Sequence, residues 1–373
     1  MSADVPGFDT RLVGRQLRRA REALALSLTQ VAESTGFDAG DLSRWESGEA
    51  QPQLDALWEL ADIYGRTTDF FFRDLPPAPS RIKFRLARPG RGLKRLSPAA
   101  RRALVEFEGL CRRRYELEEI LDSRPRVWPQ RGVAGEAPES LAAEVRRQLG
   151  LGSEPIPDLR TVLEEKGVRI FAVPVPESEF AGFSWWHPVY GPCIMVNARD
   201  PSGRRNFTIA HEYFHLITES QASLCDLSIA AGPERFANRF AAAFLMPELD
   251  VRAEWGKRGL LQTTLTLSQV GALARRYRSS SEAMVLRLAE MDLIGEERRE
   301  ELLEGLAAAP RVLRRPRSAV WHRRLGQRHV SLAGEAYKRG HISLGALADC
   351  LGVSVVKAAQ IARELGEERD SAK

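Results

Sequence analysis

Apolar positions recur at helical spacing along most of the chain. From residue 11 to about 72 the spacing is helical at Leu12, Leu17, Ala20 and Leu24, at Val31 and Ala32, at Leu42 and Trp45, and at Leu57, Leu60, Ala61 and Ile63. Gly36 and Gly48 punctuate the turns, so a set of short helices is expected here. Ser97-Pro98 opens a long helix running to about Asp122, with Ser97 suited to the N-cap and Pro98 to the first turn. From about 139 to 295 the pattern is mixed. Helices are expected at 139–149 and 157–166, then strands at Val168–Val173, Phe180–His187 and Pro192–Asn197, with a turn at Tyr190-Gly191. Helices follow at about 204–218 and 233–245, with a further pair near 266–277 and 280–291. A small helical tail occupies 329–366. The expected class is mainly α with a small β layer (α+β).

Proline and charge mark the boundaries. Leu75–Ser80 is Pro-rich and is followed by Arg81, Lys83, Arg85, Arg88, Arg91, Lys94 and Arg95. Pro125, Pro129, Gly132, Gly135 and Pro138 break a second stretch, and Arg311–Arg317 is again basic with Pro. The expected division is a helical domain at 1–74, a basic linker at 75–138 carrying the helix 97–122, a mixed domain at 139–300, and a helical tail at 311–373.

Composition narrows the function. The 373 residues suit two or three domains, because single cores seldom grow beyond roughly 250–300 residues. The net charge of +5 permits nucleic-acid binding, but solvated arginine-rich helix faces would give the same excess. Cys111, Cys193, Cys225 and Cys350 stand far apart without a CxxC, which excludes a disulfide framework and a cysteine zinc site. Met1–Gly14 lacks an apolar signal core, and runs such as Phe240–Met246 fall short of the ~20 residues that span a bilayer. The expectation is a cytoplasmic protein with no membrane partner.

Chemistry concentrates at Phe207-Thr208-Ile209-Ala210-His211-Glu212-Tyr213-Phe214-His215-Leu216-Ile217, where H-E-x-x-H lies inside a helical apolar run. His211 and His215 are four apart, so both imidazoles leave one helix face and can bind one ion. Glu212 sits where it can reach a metal-bound water and take its proton during attack on a peptide carbonyl. With six histidines in the chain, chance predicts on the order of 0.01 such matches, which disfavours coincidence.

A catalytic Zn2+ needs a third protein ligand and an open position. Glu219, Asp226, Glu234, Glu248 and Asp250 lie downstream. Glu219 is too close in sequence to face back from another element. Glu234 opens the helix Pro233-Glu234-Arg235-Phe236-Ala237-Asn238-Arg239-Phe240-Ala241, whose Ala237 and Ala241 suit close packing on the first helix. Asn238, one turn on, suits a hydrogen bond that steadies a ligand. On spacing alone, Glu234 reads equally well as a first-turn glutamate stabilised by the helix dipole.

Arg205-Asn206-Phe207-Thr208-Ile209-Ala210-His211-Glu212…His215, with Glu234-x-x-Ala237-Asn238-x-Phe240-Ala241-Ala242 and Leu245-Met246-Pro247, resembles the ImmA/IrrE metallopeptidases. The likeness covers roughly 139–295. It implies a gluzincin-like core, His211, His215 and Glu234 as zinc ligands, and Glu212 as catalytic base. Relatives usually carry Leu-Gly where this chain has Tyr213-Phe214, which puts helix packing or cleft width in question. In metallopeptidases of this general type, an exposed strand edge can hold an extended peptide. Phe180–His187 or Cys193–Asn197 suits that part, and so does a wholly internal hairpin.

In the first domain Ser27-Leu28-Thr29-Gln30 is a capping box, and Gly36 separates its helix from one starting near Asp38. Helix, glycine turn, helix is a helix-turn-helix arrangement. Leu42-Ser43-Arg44-Trp45-Glu46-Ser47-Gly48 with Pro52 resembles Xre-type domains over about 11–72, and this likeness implies an ion pair between Arg21 and Glu46. The expected DNA-facing residues are Asp38, Ala39, Asp41, Ser43 and Arg44. Arg44 suits guanine or phosphate, whereas Asp38 and Asp41 repel phosphate. Leu28 replaces the Gln common in such modules, and the basic linker can compensate. A docking or dimerisation module is the competing reading.

The tail, from His341-Ile342-Ser343 through Gly352 to Leu365, again reads as helix-turn-helix, with packing against the central domain as an equal alternative. His322, His329 and His341 lack ligand spacing. The resemblances together imply a regulator that binds operator DNA and cleaves a repressor or antitoxin, with a homodimer suited to paired half-sites. The alternative is a non-proteolytic regulator or antitoxin whose peptidase-like domain senses a ligand or binds a partner.

Overall fold

Local capping signals and apolar stripes account for most elements of the computed structural model. It describes residues 9–24, 26–64, 66, 68–72, 84–86, 97–125, 137–176, 180–218, 222–225, 233–259, 265–308 and 324–370. The basic runs of 81–95 and 311–317 fall almost wholly outside these residues. The chain divides into two units, 1–109 and 110–373.

The first unit holds α1 (Thr10–Ala23), α2 (Leu28–Thr35), α3 (Ala39–Ser47), α4 (Leu54–Tyr64), a 3-10 turn (Thr68–Phe72), the short strand β1 (Phe84–Leu86) and the start of α5 (Pro98–Ile120). Asp9 caps α1, the Ser27–Gln30 capping box closes reciprocally on α2, and Asp38 caps α3. Leu17, Leu24, Val31, Leu42, Leu60 and Phe71 form the centre of the core, to which α5 adds Val105. Gly14 lets α1 approach α3, since a Cβ there would lie 2.5 Å from the Trp45 carbonyl oxygen. Arg21 and Glu46 pair through two hydrogen bonds of 2.6 and 2.7 Å, and Arg21 also donates to the Leu26 carbonyl at 2.8 Å.

The second unit is α+β. It continues with α6 (Pro138–Gln148), α7 (Leu159–Glu165), β2 (Arg169–Val173), β3 (Gly182–His187), β4 (Gly191–Asn197), α8 (Ser202–Thr218), β5 (Ala222–Cys225) and α9 (Pro233–Leu245). Then come α10 (Glu248–Lys257), α11 (Leu267–Arg276), α12 (Ser281–Glu290) and α13 (Glu296–Ala308). Strand order within the unit is β5-β3-β4-β2. β2 runs parallel to β4, while β3 is antiparallel to β4 and β5. Strands β2 and β4 are almost wholly buried and read as continuous apolar runs, as expected beneath helices. α8 lies against the sheet, and α9 packs on α8 and α6.

The structure differs locally from the sequence reading. The turn between β3 and β4 is Pro188-Val189-Tyr190, and Gly191 already pairs with His187. The His187 ring fixes it, because Nδ1 accepts from the Val189 and Tyr190 amides at 3.0 and 2.9 Å. Helices α10 and α13 escape pattern reading because each buries so little: only Val251 and Trp255 among the apolar residues of α10, and Leu302 in α13.

The tail forms α14 (Gln327–Lys338), α15 (Leu344–Leu351) and α16 (Val355–Asp370), with Ser343 capping α15 and Gly352 ending it in the left-handed region. The axes of α15 and the described start of α16 turn through 97°. His329 is buried and donates to the Cys350 carbonyl at 3.0 Å, whereas His341 is exposed and His322 lies outside the described residues. No single described helix is long and apolar enough to cross a membrane.

Candidate metal centre

Helix α8 presents His211 and His215 one turn apart, and α9 brings Glu234 from its first turn. His211, His215 and Glu234 are the one group of potential metal-ligating side chains that converges among the described residues, with ligand atoms all within 4.8 Å of one another. His211 Nε2 stands 3.1 Å from Glu234 Oε2 and 3.2 Å from His215 Nε2, while His215 Nε2 stands 3.6 Å from Glu234 Oε1. Ligands bound at ~2.0–2.1 Å around a tetrahedral zinc lie roughly 3.3 Å from one another, so the triangle has the size of three corners of such a site. These three residues and Glu212 are each no more than 6 % exposed.

The donor set also fits a cation. His211 Nδ1 faces Asn238 Oδ1 at 2.8 Å, which places a proton on Nδ1 and turns Nε2 towards Glu234 and His215. Burial drives the His211 imidazole towards its neutral form, with Glu234 opposing. Burial disfavours the charge on Glu234, but the two facing imidazoles outweigh it and hold the carboxyl at about 2, ionised. A carboxylate held by two imidazoles is a donor set in which a divalent cation can take the place of the protons the rings share with it.

Packing sets the distance between α8 and α9. Tyr213 is buried with its ring 6.2 Å from Phe244, and Phe214 lies 5.4 Å from Phe240, which stacks on Phe244. Tyr213-Phe214 therefore acts on the joint between the helices rather than as an open cleft wall. Ala237 and Ala241, both fully buried, allow the close approach. The far end of α9 is also tied down. Arg146 donates to the Phe244 carbonyl at 2.6 Å, and Arg287 donates to that of Met246 at 3.2 Å.

Glu212 leaves α8 against the backbone of β3. A Cβ on Gly182 would meet Glu212 Oε1 and Thr208 Cγ2 at 2.5 Å each, so only glycine fits this approach. Sequence reading passed over Gly182. A lone glycine at the start of a strand run was its signal. Strand β4 has β2 and β3 on its two sides, and β3 is covered by β5 over Gly182–Ser184. Trp185–His187 continue β3 beyond that pairing.

The other carboxylates stand apart from the centre. Glu248 is exposed and pairs with Arg252 at 2.7 Å. Asp250 accepts from the Tyr277 hydroxyl at 2.7 Å and from Arg276 at 3.2 Å. Glu219 and Asp226 lie outside the described residues. In the first unit, α3 carries the residues read as DNA-facing. Asp38 is exposed and accepts from the Gly40 and Asp41 amides at 2.7 and 3.3 Å, while Asp41 holds Arg44 at 2.6 Å. Ser43 and Arg44 are exposed, and Ala39 and Asp41 are half-buried. Both acidic groups are thus partly spent within the helix.

Comparison with known proteins agrees with this division. Residues 163–289 match a peptidase family model described as an IrrE N-terminal-like domain. Residues 12–69 match one described as a helix-turn-helix domain. A search of curated proteins finds no match. The chain pairs an N-terminal helix-turn-helix domain with an IrrE-like domain of a peptidase family.

Proposed function

We propose that the protein is a cytoplasmic, DNA-binding transcriptional regulator whose central domain is a zinc-dependent endopeptidase that cleaves a protein partner, such as a repressor or antitoxin. The reading rests on one observation above all. Two histidines and a carboxylate from separate helices meet at zinc-ligand spacing, with a further glutamate on the first helix. Zinc in this site would supply a Lewis acid that activates water towards a peptide carbonyl. Glu212 then serves as base, taking the proton of the attacking water and passing it to the departing amide nitrogen. His211, His215 and Glu234 hold the ion, and Asn238 holds His211. Ser43 and Arg44 are the most available DNA contacts on α3, with Asp38, Ala39 and Asp41 at its leading end. A homodimer would suit paired half-sites.

Glu212→Gln tests the mechanism. Zinc content should be unchanged, while cleavage of the neighbouring gene's product, followed by mass spectrometry, should fall by about 10²–10⁴-fold. Undiminished cleavage would overturn the role of Glu212. A second reading, a regulator or antitoxin that binds metal or a partner without proteolysis, is favoured by the deep burial of all four residues. It predicts metal-dependent operator binding or a stable partner complex, with no cleavage by the wild-type protein.

A further inference from the structure

Within the second unit a polar cluster lies apart from the metal centre, where α5, α7, β2 and the first turn of α14 meet. Its arginines outnumber its carboxylates. Glu118, 1 % exposed, is shared by three of them: Arg114 at 2.7 Å, Arg169 in direct hydrogen bond, and Arg328 at 3.9 Å. Arg160 pairs with the buried Glu164 at 3.3 Å, and the Glu164 carboxylate also acts on Arg114. Guanidinium groups stay protonated in proteins, so four arginines around two carboxylates leave two positive charges in excess among the described residues. Arg114 is itself 1 % exposed and Arg169 6 %, whereas Arg160 and Arg328 lie at the edge of the cluster at 16 and 30 %. An excess of buried charge is costly unless a counter-ion balances it.

Two further observations point the same way. Arg114 Nη1 and Arg169 Nε are buried without a hydrogen-bond partner, although both side chains are otherwise engaged. Arg114 and Arg328 both reach Glu118 Oε1, at 2.7 and 3.9 Å, which places the Arg114 guanidinium beside the first turn of α14. That twelve-residue helix starts at Gly326, which supplies no side-chain cap, and Arg160 packs directly over Gly326. A helix start with open amides favours an anion, whereas Arg328 in its first turn has the wrong sign unless an anion sits between. Burial and the surrounding arginines hold His329 at about 3, so it adds no charge of its own.

We propose that this junction binds a small oxyanion of the phosphate class, held by Arg114, Arg169, Arg328 and the N-terminus of α14. The two unbalanced charges match a phosphate dianion, and planar guanidinium forks match its oxygens. Because α14 begins the tail, the ligand would join the tail to the strand layer of the peptidase-like domain. The inference is independent of whether that domain cleaves protein.

The test uses the full-length protein and inorganic phosphate, at ionic strength balanced with sodium chloride. Calorimetry should give saturable binding at one site, and phosphate should raise the melting temperature more than matched chloride does. Arg328→Gln, at a side chain 30 % exposed, should weaken binding about tenfold or more while leaving zinc content unchanged. Arg328→Lys, which keeps the charge but loses the planar fork, gives a second check should Arg328→Gln fold poorly, and Arg147→Gln, in an exposed pair elsewhere, should bind as wild type. A nucleoside monophosphate in place of phosphate separates the sources: tighter binding assigns a nucleotide, and equal or weaker binding assigns the free anion. No saturable binding, an equal response to chloride, or unchanged affinity in both arginine variants would overturn the proposal.

Discussion

The helix-turn-helix module and the candidate metal centre are both made by helices crossing at close quarters, yet they are held together differently. In the module α1, α2 and α3 each carry their own start or stop signal: Asp9, the Ser27–Gln30 box, Gly36, Asp38 and Gly48. One long-range polar link, Arg21–Glu46, fastens α1 to α3. In the metal centre the local signals are few, and two helices meet through Tyr213, Phe214, Phe240 and Phe244. The polar groups at that joint are buried and share protons that a cation can displace. The module is therefore expected to be stable by itself, and the centre to depend on what it binds.

The sharpest break of that contrast is Glu234→Ala. Zinc bound to the purified protein should fall from about one per chain to near zero, since two histidines alone make an incomplete site. Elemental analysis measures it, and the helix-turn-helix module should bind DNA as before. Full zinc occupancy in this variant would place the third ligand elsewhere.

The reciprocal break is Arg21→Met, which leaves Glu46 in a largely buried position without its charge partner. It should destabilise the module by about 3 kcal/mol, and adding Glu46→Met should recover most of the loss. Hydrogen exchange resolved by peptide should quicken over residues 10–72 and not over 202–245. Equal quickening in both would mean that the two regions do not unfold independently.

The smallest effect concerns pH. His329 titrates near its ordinary 6.5 when unfolded but is held at about 3 in the folded chain, chiefly by burial. The unfolded state therefore binds the extra proton first. The contribution of His329 is fully present above 6.5 and is lost as pH falls towards 3, by up to about 1.4 kcal/mol per pH unit. His329 lies in the second unit, so between pH 7 and 5.5 acid should weaken that unit more than the first. Denaturant midpoints of wild type and His329→Leu check this. An equally steep slope in the variant would assign the sensitivity to other groups.

Much of this molecule was legible before any coordinates. The capping box, the glycine-ended helices and the H-E-x-x-H pair are short-range patterns, because a helix places residues four apart on one face whatever surrounds it. The long helix after Ser97-Pro98 follows from the same spacing, and the three strands around 168–197 from short apolar runs between turn residues. Tertiary structure decided the rest. Spacing left Glu234 balanced between ligand and first-turn glutamate, and only the packing of α9 on α8 brings its carboxylate to 3.1 Å from His211. The fates of Tyr213-Phe214, the closeness of Gly182 to Glu212, and the gathering of Arg114, Arg169 and Arg328 on one carboxylate depend on elements distant in sequence. Local sequence sets which residues share a face, while side-chain volume and the burial of charge set which faces meet.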